Sequence, residues 1–288
     1  MKNIQCKSAS VVWKEGVIPF SEEFQDSYFS TDGGLEESNF VFIRGNELNR
    51  RLVPGFKIAE LGFGTGLNLL ALIRLWSTLG HLGKIHFTSF EAFPIKIDDM
   101  KRALSSFPEL IGLSENLCSI VEGGVTNFEI ENVEVKLIYG DARDKIKTWN
   151  DKANAWFLDG FAPIKNPQLW EYDLLSIVAD KTVKGGTFAT YTASGSVRRN
   201  LSQLGFNVAK VNGFEEEERL DAPGSGRSGM GAMFMSAGSG NPEMYKNIKE
   251  KVYLQENEFF GKKFLVNDKL PEFVWEMTDE QKQIGNYI

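Results

Sequence analysis

The sequence predicts an α/β fold in which a mostly parallel sheet lies between layers of helices. Three observations support this fold class. Short apolar segments alternate with segments of helical apolar spacing over residues 57–211. A glycine-rich turn at residues 60–68 joins the first apolar segment to the first helical one. Acidic residues stand at or just after the ends of several apolar segments, at the sheet edge where doubly wound folds bind ligands.

The individual elements follow from the apolar spacing. Strands are expected at residues 57–61, 85–91, 135–139, 155–159, 187–191, 206–211 and 230–235. Helices are expected at residues 68–79, 96–104, 169–178 and 196–204. Helices between strands imply parallel crossovers, whereas a loop alone joins the last two strands. We therefore expect a seven-stranded sheet with one antiparallel strand, and a helix pair or an insertion at residues 107–134.

Three regions differ in composition. Residues 1–52 combine aromatic residues with turn formers and predict an N-terminal cap or lid, with a short strand at 41–43 and a short helix at 46–52. This region either packs its aromatic side chains on the sheet or closes off a cofactor from water. The core is predicted at residues 53–236. Residues 237–288 predict a C-terminal extension that packs back on the core or binds a partner.

Composition excludes several classes of function. No run of about 18 apolar residues is present, so no membrane span is expected. The first ten residues are polar and lack an export signal, which makes the cytoplasm the expected location. Cys6, Cys118, His81 and His86 do not form a cluster with metal-ligand spacing, and no metal site is expected. The net charge of −7 disfavours nucleic-acid binding through bulk charge, although it allows a local basic patch.

The glycine-rich turn carries the clearest chemical signal. Its candidate cofactor-binding residues are Glu60, Gly62, Phe63, Gly64, Gly66 and Asn68. The dinucleotide fingerprint is G-x-G-x-x-G, but this turn has the pattern E-x-G-x-G-x-G. The pattern resembles motif I of class I S-adenosylmethionine (SAM) methyltransferases. That resemblance implies a Rossmann-like fold and SAM as the cofactor. The alternative is a turn that only connects a strand to a helix.

Acidic residues at three further strand ends fit the same cofactor. Glu91 is placed to accept hydrogen bonds from the ribose hydroxyls, and Asp141 from the adenine amine. Asp159 begins the segment Asp-Gly-Phe-Ala-Pro at the place that a methyl acceptor would reach. Its carboxylate could hold the N–H groups of an amine and stabilise the ammonium that forms, which makes Asp159 the candidate catalytic residue. The alternative is that Asp159 caps a following helix.

Other side chains are candidates for the walls of the pocket. Tyr28, Phe63 and Phe161 could face the sulfonium of the cofactor or stack on a base, and core packing is the alternative for each. Arg198 and Arg199 open a helix and could contact phosphates, or could be solvated surface.

The chain also resembles a specific family, the methyltransferase half of the bacterial tRNA 5-methylaminomethyl-2-thiouridine biosynthesis enzyme MnmC, which also has stand-alone members. The longest matching motifs read LGFGTGLN and AWFLDGFAP. The matching segments are residues 21–30, 34–37, 41–42, 61–68, 89–94, 155–163, 165–167, 170, 185–199 and 213–214. The resemblance implies SAM-dependent transfer to the aminomethyl nitrogen of a wobble uridine in tRNA, with Asp159 near that amine. The candidate substrate-binding residues are Phe161, Pro163, Lys165, Arg198 and Arg199.

Two departures from the family keep other acceptors open. Nothing after Phe214 matches the oxidase half of the family, so only methyl transfer is implied, with a separate oxidase as a possible partner. Residues 215–218 are four glutamates where the family has a basic run, and four carboxylates facing a phosphate backbone would repel it. A peptide or small-molecule amine is therefore an alternative acceptor. A third alternative is a scaffold protein that holds SAM without turnover.

Overall fold

The structure is a computed structural model. It describes residues 6–30, 33–80 and 82–211, together with the backbone of three strands between residues 244 and 269. Contacts divide the chain into two compact units, Met1–Arg227 and Ser228–Ile288. The predicted bounds of a core at 53–236 and an extension at 237–288 stay predictions, because residues 212–243 lie outside the described part. The first unit contains the whole candidate site.

The first unit begins with a small antiparallel sheet and a helical segment. The sheet has three short strands, β1 (Val11–Lys14), β2 (Ile18–Ser21) and β3 (Asp26–Ser27). The helical segment has three parts, α1 (Gly34–Ser38), a π-helix (Asn39–Arg44) and α2 (Leu48–Arg51). Phe42 in the π-helix is fully buried, with its ring centroid 5.0 Å from that of Phe157. The predicted strand at 41–43 is therefore wrong: three consecutive apolar residues were equally compatible with a buried helical turn.

The main sheet has six described strands. They are β4 (Lys57–Leu61), β5 (Ile85–Glu91), β6 (Asn127–Ile130), β7 (Val133–Tyr139), β8 (Ala153–Leu158) and β9 (Thr182–Ala189). Their order across the sheet is β6-β7-β5-β4-β8-β9, and every neighbouring pair except β6 with β7 is parallel. The order changes direction at β4 and β8, which makes the carboxyl ends of these two strands the expected ligand site.

Helices cover both faces of this sheet. The α-helices are α3 (Leu67–Leu79), α4 (Ile97–Leu104), α5 (Ile111–Glu122), α6 (Ala142–Thr148), α7 (Tyr172–Asp180) and α8 (Gly195–Gln203), with 3-10 turns at Pro108–Leu110 and Pro167–Trp170. Successive residues of a strand face opposite sides of the sheet. Phe157 accordingly packs in the core on the α3 side, whereas Trp156 and Leu158 pack with α7 and α8. The predicted parallel α/β sheet is confirmed.

Among the described residues, the antiparallel strand of the main sheet is β6, at the edge opposite β9. Residues 206–211 were expected to form a strand, but they have no regular secondary structure, and the proposed partner at 230–235 lies outside the described residues. Phe206 and Val208 pack against the α7–α8 core, so their apolar pattern reflects burial and not strand pairing. The observed antiparallel strand is β6, joined to β7 by Glu131 and Asn132, both with positive φ. Residues 107–134 thus hold a 3-10 turn, helix α5, strand β6 and the start of β7, so the helix pair, one of the two expected arrangements, is wrong.

Hydrogen bonds fix the N-terminal segment to the sheet. The side chain of Asn46 is fully buried and donates to the carbonyl oxygens of Phe42, at 3.0 Å, and Trp156, at 3.2 Å. Arg51 donates to the carbonyl oxygen of Asn154 at 3.1 Å and to the hydroxyl of Thr187. Buried amides require such partners, so this part of the N-terminal region belongs to the fold of the core.

The second unit is described only in part. Its described strands are β10 (Met244–Asn247), β11 (Val252–Phe259) and β12 (Lys262–Lys269), which form an antiparallel sheet in the order β10-β11-β12. No helix among the described residues of the chain is long and apolar enough to cross a membrane.

Candidate functional site

The glycine turn after β4 touches the end of β8. Gly62 directly follows β4 and Asp159 directly follows β8. A Cβ added to Gly62 would lie 2.8 Å from the carbonyl oxygen of Asp159, and the φ of Gly62 is +88°. Only glycine takes this conformation and this contact without strain. The predicted cofactor turn and the predicted catalytic residue are therefore in direct contact.

A buried hydrogen-bonded chain joins the two strand ends. The side-chain amide nitrogen of Asn68, Nδ2, donates to Oε1 of Glu60 at 3.0 Å and to Oδ2 of Asp159 at 2.7 Å. The other oxygen of Glu60 accepts from the hydroxyl of Ser89 at 2.7 Å. Burial, and then the charge of Asp159, raise the pKa of Glu60 well above its usual value. Glu60 and Asn68, both predicted to bind cofactor, thus bond to groups of the protein itself and position Asp159.

Glu91 ends β5 beside the same turn. One carboxylate oxygen accepts from the backbone N–H of Gly64 at 2.9 Å, and the other from the backbone N–H of Phe93 at 2.6 Å. Burial raises the pKa of Glu91, although these backbone N–H groups oppose the shift. The backbone N–H groups of Phe63 and Ala92 also act on this carboxylate, and contact of Glu91 with the hydroxyls of a ribose stays a prediction.

Aromatic side chains cover the glycine turn. A Cβ added to Gly64 would lie 3.3 Å from the ring of Tyr28. The ring of Tyr28 meets that of Phe161 edge to face, with the centroids 5.3 Å apart, and Phe24 stacks on Phe161 at 4.7 Å. Phe93 meets Phe24 edge to face at 5.3 Å. This cluster of Phe24, Tyr28, Phe93 and Phe161, the aromatic roof, joins the N-terminal region to the acceptor loop after β8.

Asp26 fastens this roof in place. Its side chain is 1% exposed and accepts from the backbone N–H of Ala162 at 3.0 Å. The ammonium group of Lys165 lies 3.4 Å from Oδ1 of Asp26 and donates to the carbonyl oxygen of Gln25. Lys165, predicted to contact substrate, is thus engaged in holding the acceptor loop against the N-terminal region.

Comparisons with known proteins agree with this geometry. A family model described as S-adenosyl-L-methionine-dependent methyltransferase matches residues 113–223. The bifunctional MnmC proteins of Hahella chejuensis and a Marinomonas species, named for tRNA 5-methylaminomethyl-2-thiouridine biosynthesis, are 38% and 36% identical to the chain over 233 and 230 residues. The matches cover 74% and 76% of this chain. The crystal structure of MnmC2 from Aquifex aeolicus superposes with a TM-score of 0.57 at 29% identity, over 71% of this chain and 66% of that one. The chain carries an MnmC-like methyltransferase domain.

The predicted family, class I fold and SAM dependence are confirmed at the level of this domain. The chain corresponds to about a third of the length of its two relatives, since the matches cover 36% and 34% of them.

Asp141 of the MnmC-like domain lies at the predicted strand end but is bonded within its own helix. It caps α6 by accepting from the backbone N–H of Arg143 at 2.9 Å. The guanidinium of Arg143 also pairs with its carboxylate, with Nη2 2.5 Å from Oδ2. Hydrogen bonds from Arg143 hold the pKa of Asp141 below its usual value. Contact of Asp141 with an adenine amine stays a prediction that requires Arg143 to share the carboxylate.

The remaining predicted positions divide between core and surface. Phe63 is 7% exposed and belongs to the core on the α3 side, so core packing describes it best. A Cβ on Gly66 would lie 2.9 Å from the side chains of Phe63 and Leu117, which gives this glycine a packing role. Pro163 lies in the turn closed by the N–H of Lys165 on the carbonyl of Ala162 at 2.7 Å.

Arg198 and Arg199 are exposed on α8. They line a surface groove of about 370 Å³ with Gly195, Ser202, Gln203 and Val208. Both alternatives for these arginines, a phosphate contact and a solvated surface, stay predictions.

Asp159 does not cap a helix. The next helical turn begins at Pro167, and an irregular loop separates it from β8. The capping alternative is therefore wrong, which strengthens a role for this carboxylate at the site. Among the described residues no group of three or more His, Cys, Asp or Glu could hold a metal ion.

Sequence reasoning missed three residues of the site. Asp26, Phe24 and Phe93 were not chosen, although all three lie inside segments that resemble the family. An acidic residue among aromatic residues was the available signal for Asp26. Its partner, the N–H of Ala162, is a backbone group and leaves no trace in the sequence.

Proposed function

We propose that the MnmC-like domain transfers a methyl group from SAM to the nitrogen of an amine, namely the aminomethyl group of 5-aminomethyl-(2-thio)uridine at the tRNA wobble position. The observation that carries this proposal is the position of Asp159. Asp159 lies at the reversal of the sheet order, and its backbone carbonyl oxygen lies against Gly62 of the glycine turn. Its carboxylate accepts from the side-chain amide of Asn68 at 2.7 Å.

The residues around the glycine turn fit SAM. Glu91 would hold the ribose hydroxyls, the turn from Gly62 to Gly66 would receive the methionine portion, and Tyr28 would close the pocket from above. Gly64 supports this assignment, because a side chain at its Cβ would fill the space under the ring of Tyr28. Bound SAM supplies an electrophilic methyl group on a positively charged sulfur.

Asp159 would prepare the acceptor for attack. An amine attacks only when it is neutral and its lone pair points along the line of the breaking carbon–sulfur bond. The carboxylate of Asp159 would accept hydrogen bonds from the amine N–H groups, which directs the lone pair away from the protein and towards the methyl group. As the new nitrogen–carbon bond forms, the electrons of the old bond remain on sulfur and the nitrogen becomes positively charged. The negative charge of Asp159 stabilises that ammonium.

Support for tRNA as the acceptor comes from the relatives and from one surface. The two MnmC relatives are named for tRNA modification. Arg198 and Arg199 offer two exposed cations on α8, which directly follows the loop after β9. Phosphate oxygens are the usual partners of such arginines in nucleic-acid complexes. The four glutamates at 215–218, which argue for another acceptor, lie outside the described residues.

The second candidate function keeps the chemistry and changes the acceptor to a peptide or small-molecule amine. It is favoured by the net charge of −7 and by the acidic run at 215–218. A separate oxidase that supplies the aminomethyl group is part of the first proposal only.

One assay tests these proposals. The protein is incubated with methyl-labelled SAM and tRNA that carries 5-aminomethyluridine, and the digested nucleosides are analysed by mass spectrometry. Label in the methylaminomethyl nucleoside is the expected result. Transfer to a peptide or small-molecule amine but not to tRNA would establish the second candidate. SAM binding without transfer to any acceptor would instead indicate a scaffold protein.

Two matched variants test whether Asp159 takes part in methyl transfer. Asp159→Asn should lower the transfer rate by about 10²- to 10⁴-fold, the usual contribution of a positioned acid or base. SAM affinity, measured by calorimetry, should change little. Asp173→Asn, an exposed aspartate at the start of α7, should behave as wild type. Equal activity of Asp159→Asn and wild type would remove Asp159 from the mechanism.

A further inference from the structure

Tyr191 lies beside Asp159 at the end of the neighbouring strand. In the parallel pair of β8 and β9, Phe157 is in register with Ala189. Asp159 and Tyr191 each lie two residues beyond that pair, and neighbouring strands are about 4.8 Å apart. Both residues therefore lie at the same edge of the sheet, with Tyr191 on the side of Asp159 that faces away from β4. Tyr191 has not yet been given a role in the reaction.

The core fixes the position of the Tyr191 ring. Its centroid is 4.9 Å from that of Phe42, in an edge-to-face contact, and Phe42 is fully buried. The residue as a whole is 38% exposed, yet burial of its hydroxyl is the main cause that raises the pKa of Tyr191. The ring therefore packs on the core along one side, while another part of the residue meets solvent.

Three acidic side chains act on the pKa of this hydroxyl. After burial, the charges of Asp159, Glu37 and Glu60 raise the pKa of Tyr191 further, in that order, while a hydrogen bond with Ser38 lowers it. Glu37 is 6% exposed and Ser38 2% exposed, both on α1. The hydroxyl is consequently neutral at physiological pH. Its oxygen can accept a hydrogen bond from Ser38 and a further one from a ligand.

This arrangement complements a primary amine. A neutral primary amine has two N–H groups and one lone pair, so holding it in one orientation takes two hydrogen-bond acceptors. We propose that the hydroxyl of Tyr191 is the second acceptor, and that Tyr191 and Asp159 together hold the two N–H groups of the amine that is methylated. This inference rests on the proposed amine methylation.

Tyr191 does not change which bonds form and break during methyl transfer. The nitrogen lone pair forms the bond to the methyl carbon, the carbon–sulfur bond breaks with its electrons on sulfur, and the positive charge passes to nitrogen. No proton moves to or from Tyr191 during transfer. Asp159 supplies negative charge next to the new ammonium, and the neutral hydroxyl of Tyr191 orients it.

Two variants separate orientation of the amine from structural support. Tyr191→Phe removes the hydroxyl and keeps the ring on Phe42. Ser38→Ala removes the partner on α1 and keeps the hydroxyl. Tyr172→Phe, on a tyrosine that is 44% exposed, is the control for loss of a surface hydroxyl.

The expected result is a loss of kcat for one variant alone. Tyr191→Phe should lower kcat by about ten- to hundredfold, the effect of a hydrogen bond to a charged or reacting group. Its KM for tRNA should stay within about threefold of wild type, because phosphate contacts dominate tRNA affinity. Its SAM affinity should match that of wild type, and its melting temperature should fall no further than that of Ser38→Ala, because both variants remove the same hydrogen bond. Ser38→Ala and Tyr172→Phe should keep wild-type kcat.

Other outcomes would overturn the inference. If wild type methylates the amine and Tyr191→Phe does so with the same kcat, Tyr191 does not hold the amine. If Ser38→Ala and Tyr191→Phe lose kcat and melting temperature together, Tyr191 only ties α1 to the sheet. If wild type methylates no amine, the proposed function fails, and this inference fails with it.

Discussion

The side-chain amide nitrogen of Asn68 lies 2.7 Å from Oδ2 of Asp159. Asn68 stands in the first turn of α3, so this helix holds the carboxylate that follows β8. The same nitrogen donates to Glu60 at the end of β4. Two carboxylates that would otherwise repel each other at this buried edge are kept together by one amide. One side chain thereby joins the half of the proposed site at the end of β4 to the half at the end of β8.

Asn68→Ala should uncouple these two halves. The variant removes one donor from each of two carboxylates, and an unsatisfied buried group costs about 1–3 kcal/mol of stability. Chemical denaturation should show a loss of this size, and kcat should fall more than SAM affinity because Asp159 loses its orientation. Asn127→Ala, on exposed β6, is the control. Wild-type kcat in Asn68→Ala would show that Asp159 is held by other groups.

Glu60→Gln should change how stability depends on pH. Because the folded protein raises the pKa of Glu60, it binds more protons than the unfolded chain above about pH 4.3. Wild type therefore loses stability as pH rises from there through the raised pKa, and the variant lacks this loss. The glutamine can still accept from Asn68 and donate to Ser89.

Denaturation curves of wild type and Glu60→Gln between pH 4 and 8 measure this effect. The free energy of unfolding of the variant, relative to that of wild type, should increase as pH rises, by about 1.4 kcal/mol for each unit that the pKa of Glu60 is raised. The raised pKa of Glu91 acts in the same direction but is common to both proteins, so it cancels in the difference. Parallel curves would mean that Glu60 is not desolvated.

Gly62→Ala and Gly55→Ala form a matched pair. Both glycines have positive φ, +88° and +84°, so alanine costs each about 1 kcal/mol in backbone strain. A Cβ on Gly62 would meet the carbonyl oxygen of Asp159 at 2.8 Å, whereas nothing lies within 4 Å of one on Gly55. Gly62→Ala should therefore lose more stability and, unlike Gly55→Ala, most of its methyl transfer. Equal transfer rates in the two variants would show that the contact with Asp159 is not needed.

Arg198→Gln and Arg199→Gln test the basic surface on α8. If each arginine binds a phosphate, each variant should weaken tRNA binding and reduce the slope of log affinity against log salt by about 1. Arg74→Gln, an exposed arginine on α3 on the other face of the sheet, should leave the slope unchanged. Unchanged slopes in all three variants would identify Arg198 and Arg199 as solvated surface. Filter binding at several salt concentrations measures the slopes.

Local pattern was enough to locate the strands that carry the site. The predicted strands at 57–61 and 85–91 agree with β4 and β5 residue for residue, because short segments with apolar residues between glycine or proline turns leave little choice. Prediction was wrong at 41–43 and 206–211, where short apolar segments are buried by packing against Phe157 and the α7–α8 core and not by strand pairing. The prediction also missed β6, which forms a hairpin with β7 through a two-residue turn of Glu131 and Asn132.

The sequence by itself determined that this protein has a glycine turn and acidic strand ends at one edge of a parallel sheet, since the carboxyl ends of parallel strands must meet there. Only the tertiary structure decided what each carboxylate does. Asp141 is paired with Arg143, whereas Asp159 accepts a hydrogen bond from Asn68 and lies two residues beyond the register pair of Phe157 with Ala189. Asn68 and Asp159 are 91 positions apart in the chain, so packing of the folded sheet, and not a local pattern, brings them together.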